Sequence, residues 1–231
     1  MADLIVYGVP LSPFVRKVQA VLHAKQLDYE LEGVNIMALP DWFLEISPAR
    51  RIPVLRYLPA GAEGRAGTIP DSSAISAFLE KLAPTPALYP QDPFEHGRAV
   101  WLEEYADSEL AATIGMGAFR PVLFPRFQGQ ESDLATARKT MTEKIPRLFD
   151  YLESMLDARA YFVGDSLSIA DVAVGTQLAN LAMVVGPPDS ARWPGLVAHL
   201  ASMQELEGFK VNLQACAKML AKVLPEPVSL D

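Results

Sequence analysis

The patterning of the chain predicts a two-part fold, an α/β unit of the order βαβαββα followed by an all-helical unit. Short apolar runs alternate with helical spacing as far as about Ala83. A stretch with four prolines in eleven residues, Ala83 to Pro93, then interrupts every regular pattern. Beyond it only helical spacing recurs. The expected limits are 1–83 for the first domain, 84–93 for the linker and 94–231 for the helical domain.

Each element has its own signal. Leu4–Tyr7 reads as a buried strand, and Phe14, Val18, Val21 and Leu22 mark the helix that follows. Tyr29–Val34 alternates loosely as a second strand, ahead of a short helical piece over Asp41–Ile46. Ile52–Leu58 is a third strand, in which proline is tolerated near the start. A short fourth strand falls near Gly67–Ile69. Asp71 and Ser72 then open a helix with Ile75, Phe78, Leu79 and Leu82 on one face.

In the second part, Met141, Ile145, Leu148, Phe149, Leu152 and Leu156 keep helical spacing, as do Phe209, Leu213, Cys216, Leu220 and Val223. The longest apolar stretch, Ile169–Val185, contains Asp171, Gln177 and Asn180, which hydrocarbon would penalise, so it reads as a buried core helix and no membrane partner is expected. Gly115–Gln130, with Pro121, Pro125 and Gly129, is expected to be an irregular break between two long helices.

Composition narrows the function classes. The 231 residues are 50% hydrophobic and 21% charged, enough apolar surface to offset chain entropy, so the chain folds. A net charge of −8 repels a phosphate backbone and argues against nucleic acid as a partner. The single cysteine, Cys216, excludes an intramolecular disulfide and any Cys-x-x-Cys redox or zinc site, and no metal is expected. The N-terminus lacks a basic region followed by a long apolar run, so a cytoplasmic location is expected.

Four places can carry chemistry, and each has a purely structural alternative. Ser12-Pro13, between the first strand and first helix, is an N-cap followed by a first-turn proline; capping alone explains the pair. Its functional reading is a hydroxyl beside a positive helix end, able to donate to a thiolate or oxyanion. Ile52-Pro53 opens a strand harmlessly if trans, while a cis bond would turn the Ile52 backbone outward to pair with an extended peptide. Asp71-Ser72 begins a helix whose free N–H groups suit a carboxylate and whose Asp71 suits an ammonium; capping again suffices. Ser168-Ile169-Ala170-Asp171 has the spacing of a capping box and reads as a folding element.

Jointly these pieces resemble the cytosolic glutathione transferase family along essentially the whole chain. The resemblance rests on Tyr7-Gly8 then Ser12-Pro13-Phe14-Val15-Arg16-Lys17-Val18, on Ser47-Pro48 then Arg51-Ile52-Pro53-Val54-Leu55, on Asp71-Ser72, and on Ser168 to Asp171. It implies a thioredoxin-like N-terminal domain joined to an all-α C-terminal domain, the glutathione transferase fold. It further implies glutathione as co-substrate, a small hydrophobic electrophile as its acceptor, and a homodimer.

By the same resemblance Ser12 is the catalytic residue of a serine-type, bacterial-like member, with Tyr7 the runner-up. Ile52 and a cis Pro53 hold the cysteinyl part, Asp71 the γ-glutamyl ammonium, Ser72 its carboxylate and Arg51 the glycyl carboxylate. Asp71 stands where the family more often has Glu or Gln, and Pro59–Gly67 is a longer connection than the family's usual tight turn. Glutathione-dependent peroxidase activity is compatible with the same site. The alternative function is a non-catalytic dimerisation or ligand-binding protein built on the same fold.

Overall fold

Residues 2–230 are described by a computed structural model. Strand β1 (Leu4–Gly8) is buried along its length, because both faces of the sheet are covered. The four-stranded sheet has the order β2-β1-β3-β4. Strand β2 (Glu30–Gly33) lies parallel to β1, while β3 (Val54–Tyr57) is antiparallel to β1 and β4 (Thr68–Pro70) antiparallel to β3. The period of two sorts the side chains. Leu4, Val6 and Leu55 enter the large core with helices α1 (Pro13–Ala24) and α3 (Ser72–Leu82), whereas Ile5, Tyr7 and Val54 pack with Phe43 and Ile46 of α2 (Asp41–Ile46). Between β3 and β4 the long connection forms two 3₁₀ turns, Leu58–Ala60 and Gly64–Gly67. The chain between α3 and α4 (Pro93–Tyr105) contains no helix or strand.

The expected break over Gly115–Gln130 is corrected by the structure. Helix α4 continues through a wide π turn, Ala106–Leu110, into α5 (Ala111–Ile114), then through a second, Gly115–Phe119, into α6 (Arg120–Phe127). Only the residues after Phe127 leave the helix. Pro125 supplies no N–H to the Pro121 carbonyl, which instead accepts from the Asp133 N–H at 3.0 Å, and the Val122 carbonyl accepts from Ser132 Oγ at 2.7 Å. Long-range partners replace the lost ladder, and burial of Phe119, Val122 and Leu123 holds the segment down.

Helices α7 (Leu134–Glu143), α8 (Ile145–Leu156), α9 (Ile169–Val185), α10 (Pro194–Glu205) and α11 (Glu207–Leu220) complete the fold. The expected core helix is α9, buried almost all round, and α1 packs against both α9 and α11. Among the described residues no helix is long and apolar enough to cross a membrane.

Candidate active site at one edge of the sheet

Strand register determines which predicted residues meet. Tyr7 pairs with Val54, and Val54 with Pro70. Because β3 runs against both neighbours, the end of β1, the start of β3 and the end of β4 share one edge. The turn carrying Ser12, the Ile52-Pro53 pair and Asp71-Ser72 therefore emerge side by side.

Ser12 caps α1 with extended backbone, and its N–H closes a turn on the Val9 carbonyl at 3.1 Å. Gly8 precedes that turn because a Cβ there would lie 2.5 Å from Val15 Cγ2. The Ser12 hydroxyl is half-buried and accepts the Val15 N–H at a long 3.4 Å. Its own hydrogen has no acceptor among the described residues. Next to it, Leu11 is buried against Phe119, Val122, Val184 and Leu220, so the Ser12 turn faces the helical domain.

The Ile52-Pro53 peptide is cis. The loop before it is tied by Ser47, whose Oγ donates to the Arg51 carbonyl at 2.7 Å and accepts the Arg51 N–H at 3.1 Å. Neither backbone polar group of Ile52 has a partner among the described residues, so a donor and an acceptor stand free at the sheet edge. Arg51 is exposed on this loop, with its guanidinium unpaired among the described residues.

Asp71 caps α3 with a positive φ of 79°. One carboxylate oxygen accepts the N–H groups of Ser73 (2.9 Å) and Ala74 (3.1 Å); the other has no protein partner among the described residues. Ser72 is buried beside it.

Tyr7 lies on the α2 face of the sheet, its ring 5.2 Å from that of Trp42. Phe119 packs in the same cluster as Leu11, whereas Met116 is exposed. Ser168 and Asp171 form the expected capping box at the start of α9.

Three buried cations, Arg16, Lys17 and Lys25, escaped the sequence reading, because charge in a helix ordinarily marks a solvent face; the first two bear on the site. Lys17 lies behind Ser73, with Nζ donating to Ser73 Oγ (3.0 Å), to Glu103 (2.8 Å) and to Asp107. Burial alone would lower the Lys17 ammonium, but Asp107 and Glu103 outweigh it and raise its pKa. The Asp107 carboxyl is itself pushed up by burial, against the pull of Lys17. Arg16, also fully buried, reaches α9 and α11. The available signal was the adjacent pair Arg16-Lys17 inside an otherwise apolar helix, with Glu103 and Asp107 at i, i+4 as carboxylate counterparts.

A profile of the glutathione S-transferase N-terminal domain matches residues 6–87, and one of the C-terminal domain matches residues 119–214. The maleylacetoacetate isomerase of Rattus norvegicus is 28% identical over 203 residues, 85% of each chain. Among solved structures, a glutathione S-transferase from Rhodospirillum rubrum superposes with a TM-score of 0.80 at 25% identity, covering 91% of both chains. A glutathione transferase homolog from Drosophila mojavensis, solved with bound glutathione, gives 0.77 at 25% identity over 99% of this chain and 100% of that one.

Proposed function

The chain belongs to the glutathione S-transferase family, and on that premise we propose that it binds glutathione along the edge formed by Ser12, Ile52 and Asp71-Ser72 and conjugates it to a small hydrophobic electrophile. The observation that carries this reading is the shared edge itself: three segments with unused hydrogen-bonding groups, brought together by the pairing of Tyr7 with Val54 and of Val54 with Pro70.

The chemistry follows from those groups. The free N–H and C=O of Ile52 suit the backbone of the cysteinyl residue. The second Asp71 oxygen suits the γ-glutamyl ammonium, and Ser72 with the start of α3 suits its carboxylate. Arg51 is the cation for the glycyl carboxylate. The sulfur then falls to Ser12, whose hydroxyl donates to the thiolate while the thiol proton leaves to solvent. A hydrogen bond to a charged group is worth about 1.5–3 kcal/mol and one pK unit about 1.36 kcal/mol, so this donor lowers the thiol pKa by about one to two units. The positive end of α1 adds a smaller contribution. The thiolate attacks the electrophile, a carbon–sulfur bond forms, and the leaving group departs with its electron pair. The Leu11–Phe119 cluster supplies an apolar wall on the side where the electrophile would approach.

Polar groups without structural partners are what a substrate site needs and a purely structural module does not, which favours the enzyme over the non-catalytic reading. We further propose that the two domains join over 84–93, and that two copies pair through the first domain of one and the helical domain of the other. Light scattering should then give twice the 25.2 kDa of one chain. The test of the function is retention on immobilised glutathione followed by conjugation assays with a panel of electrophiles. Retention with glutathione-dependent turnover supports the reading; failure to bind glutathione contradicts it.

A further inference from the structure

We propose that Asn212, in the helical domain, is a positioning residue for thiol activation, holding the turn that presents the Ser12 hydroxyl. This inference rests on the role given to Ser12 above. Helices α1 and α11 run antiparallel in close contact: a Cβ on Gly208 would lie 2.7 Å from Ala20 Cα. One turn further along each helix, Asn212 meets Arg16.

Asn212 is fully buried, and both ends of its amide are engaged. Nδ2 donates to the Pro10 carbonyl at 3.0 Å and to Gln19 Oε1 at 2.8 Å, while Oδ1 accepts from Arg16 Nε at 2.6 Å. With two acceptors at one end and a guanidinium at the other, only one orientation of the amide satisfies every group. Pro10 lies inside the turn closed by the Ser12 N–H on the Val9 carbonyl. Asn212 therefore grips, from the opposite domain, the segment whose conformation aims the Ser12 hydroxyl.

Arg16 anchors the other side of the clamp. Its Nη1 donates to Asn180 Oδ1 (2.7 Å) and to the Thr176 carbonyl (3.0 Å), and its Nη2 faces the sulfurs of Cys216 (3.6 Å) and Met183 (3.9 Å). No carboxylate is among these partners. Lys17 offers the contrast, since Glu103 and Asp107 offset its charge. Burying a guanidinium without a counter-ion is unfavourable, and here it fixes the first turns of α1 against α9 and α11. An anion at Ser12 would sit one helical turn from this uncompensated cation.

Asn212→Asp separates positioning from mere support. It keeps an acceptor for Arg16 Nε and removes the donor to Pro10 but also gives Arg16 a counter-ion, so it is read against Asn212→Ser, which removes the same donor without adding charge. The readout is the thiol pKa of bound glutathione, followed by the ultraviolet absorbance of the thiolate, together with kcat and KM. The expected result is a thiol pKa raised by about one unit and a kcat at neutral pH lowered about tenfold, the free-energy equivalent of one pK unit. KM for glutathione should change less than about threefold, because Ile52, Asp71 and Ser72 are untouched. Asn212→Ser, whose smaller side chain leaves room for water beside Arg16, gives the same result should the aspartate variant not fold. An unchanged thiol pKa in folded variants, whatever happens to the melting temperature, overturns the proposal. Ser12→Ala is measured alongside. If it moves the pKa and the Asn212 variants do not, the inference alone falls; if neither moves it, the assignment of Ser12 falls as well.

Discussion

Helices α1 and α9 both begin at a serine, Ser12 and Ser168, but the two caps differ in what they leave over. At α9 both carboxylate oxygens of the cap are consumed. One Asp171 oxygen accepts from the N–H (2.8 Å) and hydroxyl (2.8 Å) of Ser168, and the other accepts the Phe162 N–H at 2.9 Å, all inside the core. At α1 the serine accepts one long bond, keeps its hydrogen and stays half-buried beside the unpaired backbone of Ile52. A saturated cap is a folding device, whereas a cap with a free donor at a sheet edge can act on something else. The difference lies in the surroundings, not in the residue.

The two caps differ most in what they contribute to stability. Asp171→Ala strands the buried N–H groups of Phe162 and Ser168, each worth about 1–3 kcal/mol, and should cost about 3–5 kcal/mol. For a chain of this length that corresponds to a melting temperature lower by roughly 6–20 °C in calorimetry. Ser12→Ala should do the reverse, losing about 1 kcal/mol or less as a cap. Its turnover at saturating glutathione should fall about 10- to 100-fold, from the loss of about 1.5–3 kcal/mol at the thiolate.

A pH scan sharpens the same contrast. His199 sits beside the α9 cap, its Nε2 donating to the Asp171 carbonyl at 3.3 Å. Burial holds its imidazole below the ordinary 6.5, against the pull of Asp171. Below about pH 6.5 the unfolded chain takes up a proton that the folded chain does not, so stability falls with pH at up to about 1.4 kcal/mol per pH unit. His199→Gln should flatten the melting-temperature profile across that window. The smallest effect is expected for Ser72→Ala, which removes one donor at the α3 end of the site. It should raise KM for glutathione about fivefold, as loss of about 1 kcal/mol implies, with kcat nearly unchanged.

Much of this was legible in the sequence, for identifiable reasons. Strand and helix periods located the elements, since each buries one face or stripe. Ser12, Ile52-Pro53 and Asp71-Ser72 were visible because caps and prolines punctuate local structure. What local pattern could not show was non-local compensation. The helix over Gly115–Phe127 persists because the Asp133 N–H replaces the donor that Pro125 takes from the Pro121 carbonyl, with Ser132 adding a bond to the Val122 carbonyl, and both residues lie beyond the segment itself. Arg16 and Lys17 are buried because partners more than fifty residues away meet them, among them Asn180, Asn212, Glu103 and Asp107. The outward backbone of Ile52 could be anticipated only on condition of a cis Pro53, and strand register then set it at the edge shared with the Ser12 turn and Asp71.

The most direct test of the account is the pKa of the thiol of glutathione bound to the native protein and to Ser12→Ala, read from thiolate absorbance against pH. The account predicts a value about one to two units below an ordinary thiol near 8.5 in the native protein, returning by at least about one unit in the variant. Equal pKa values in the two proteins, both still binding glutathione, would contradict it.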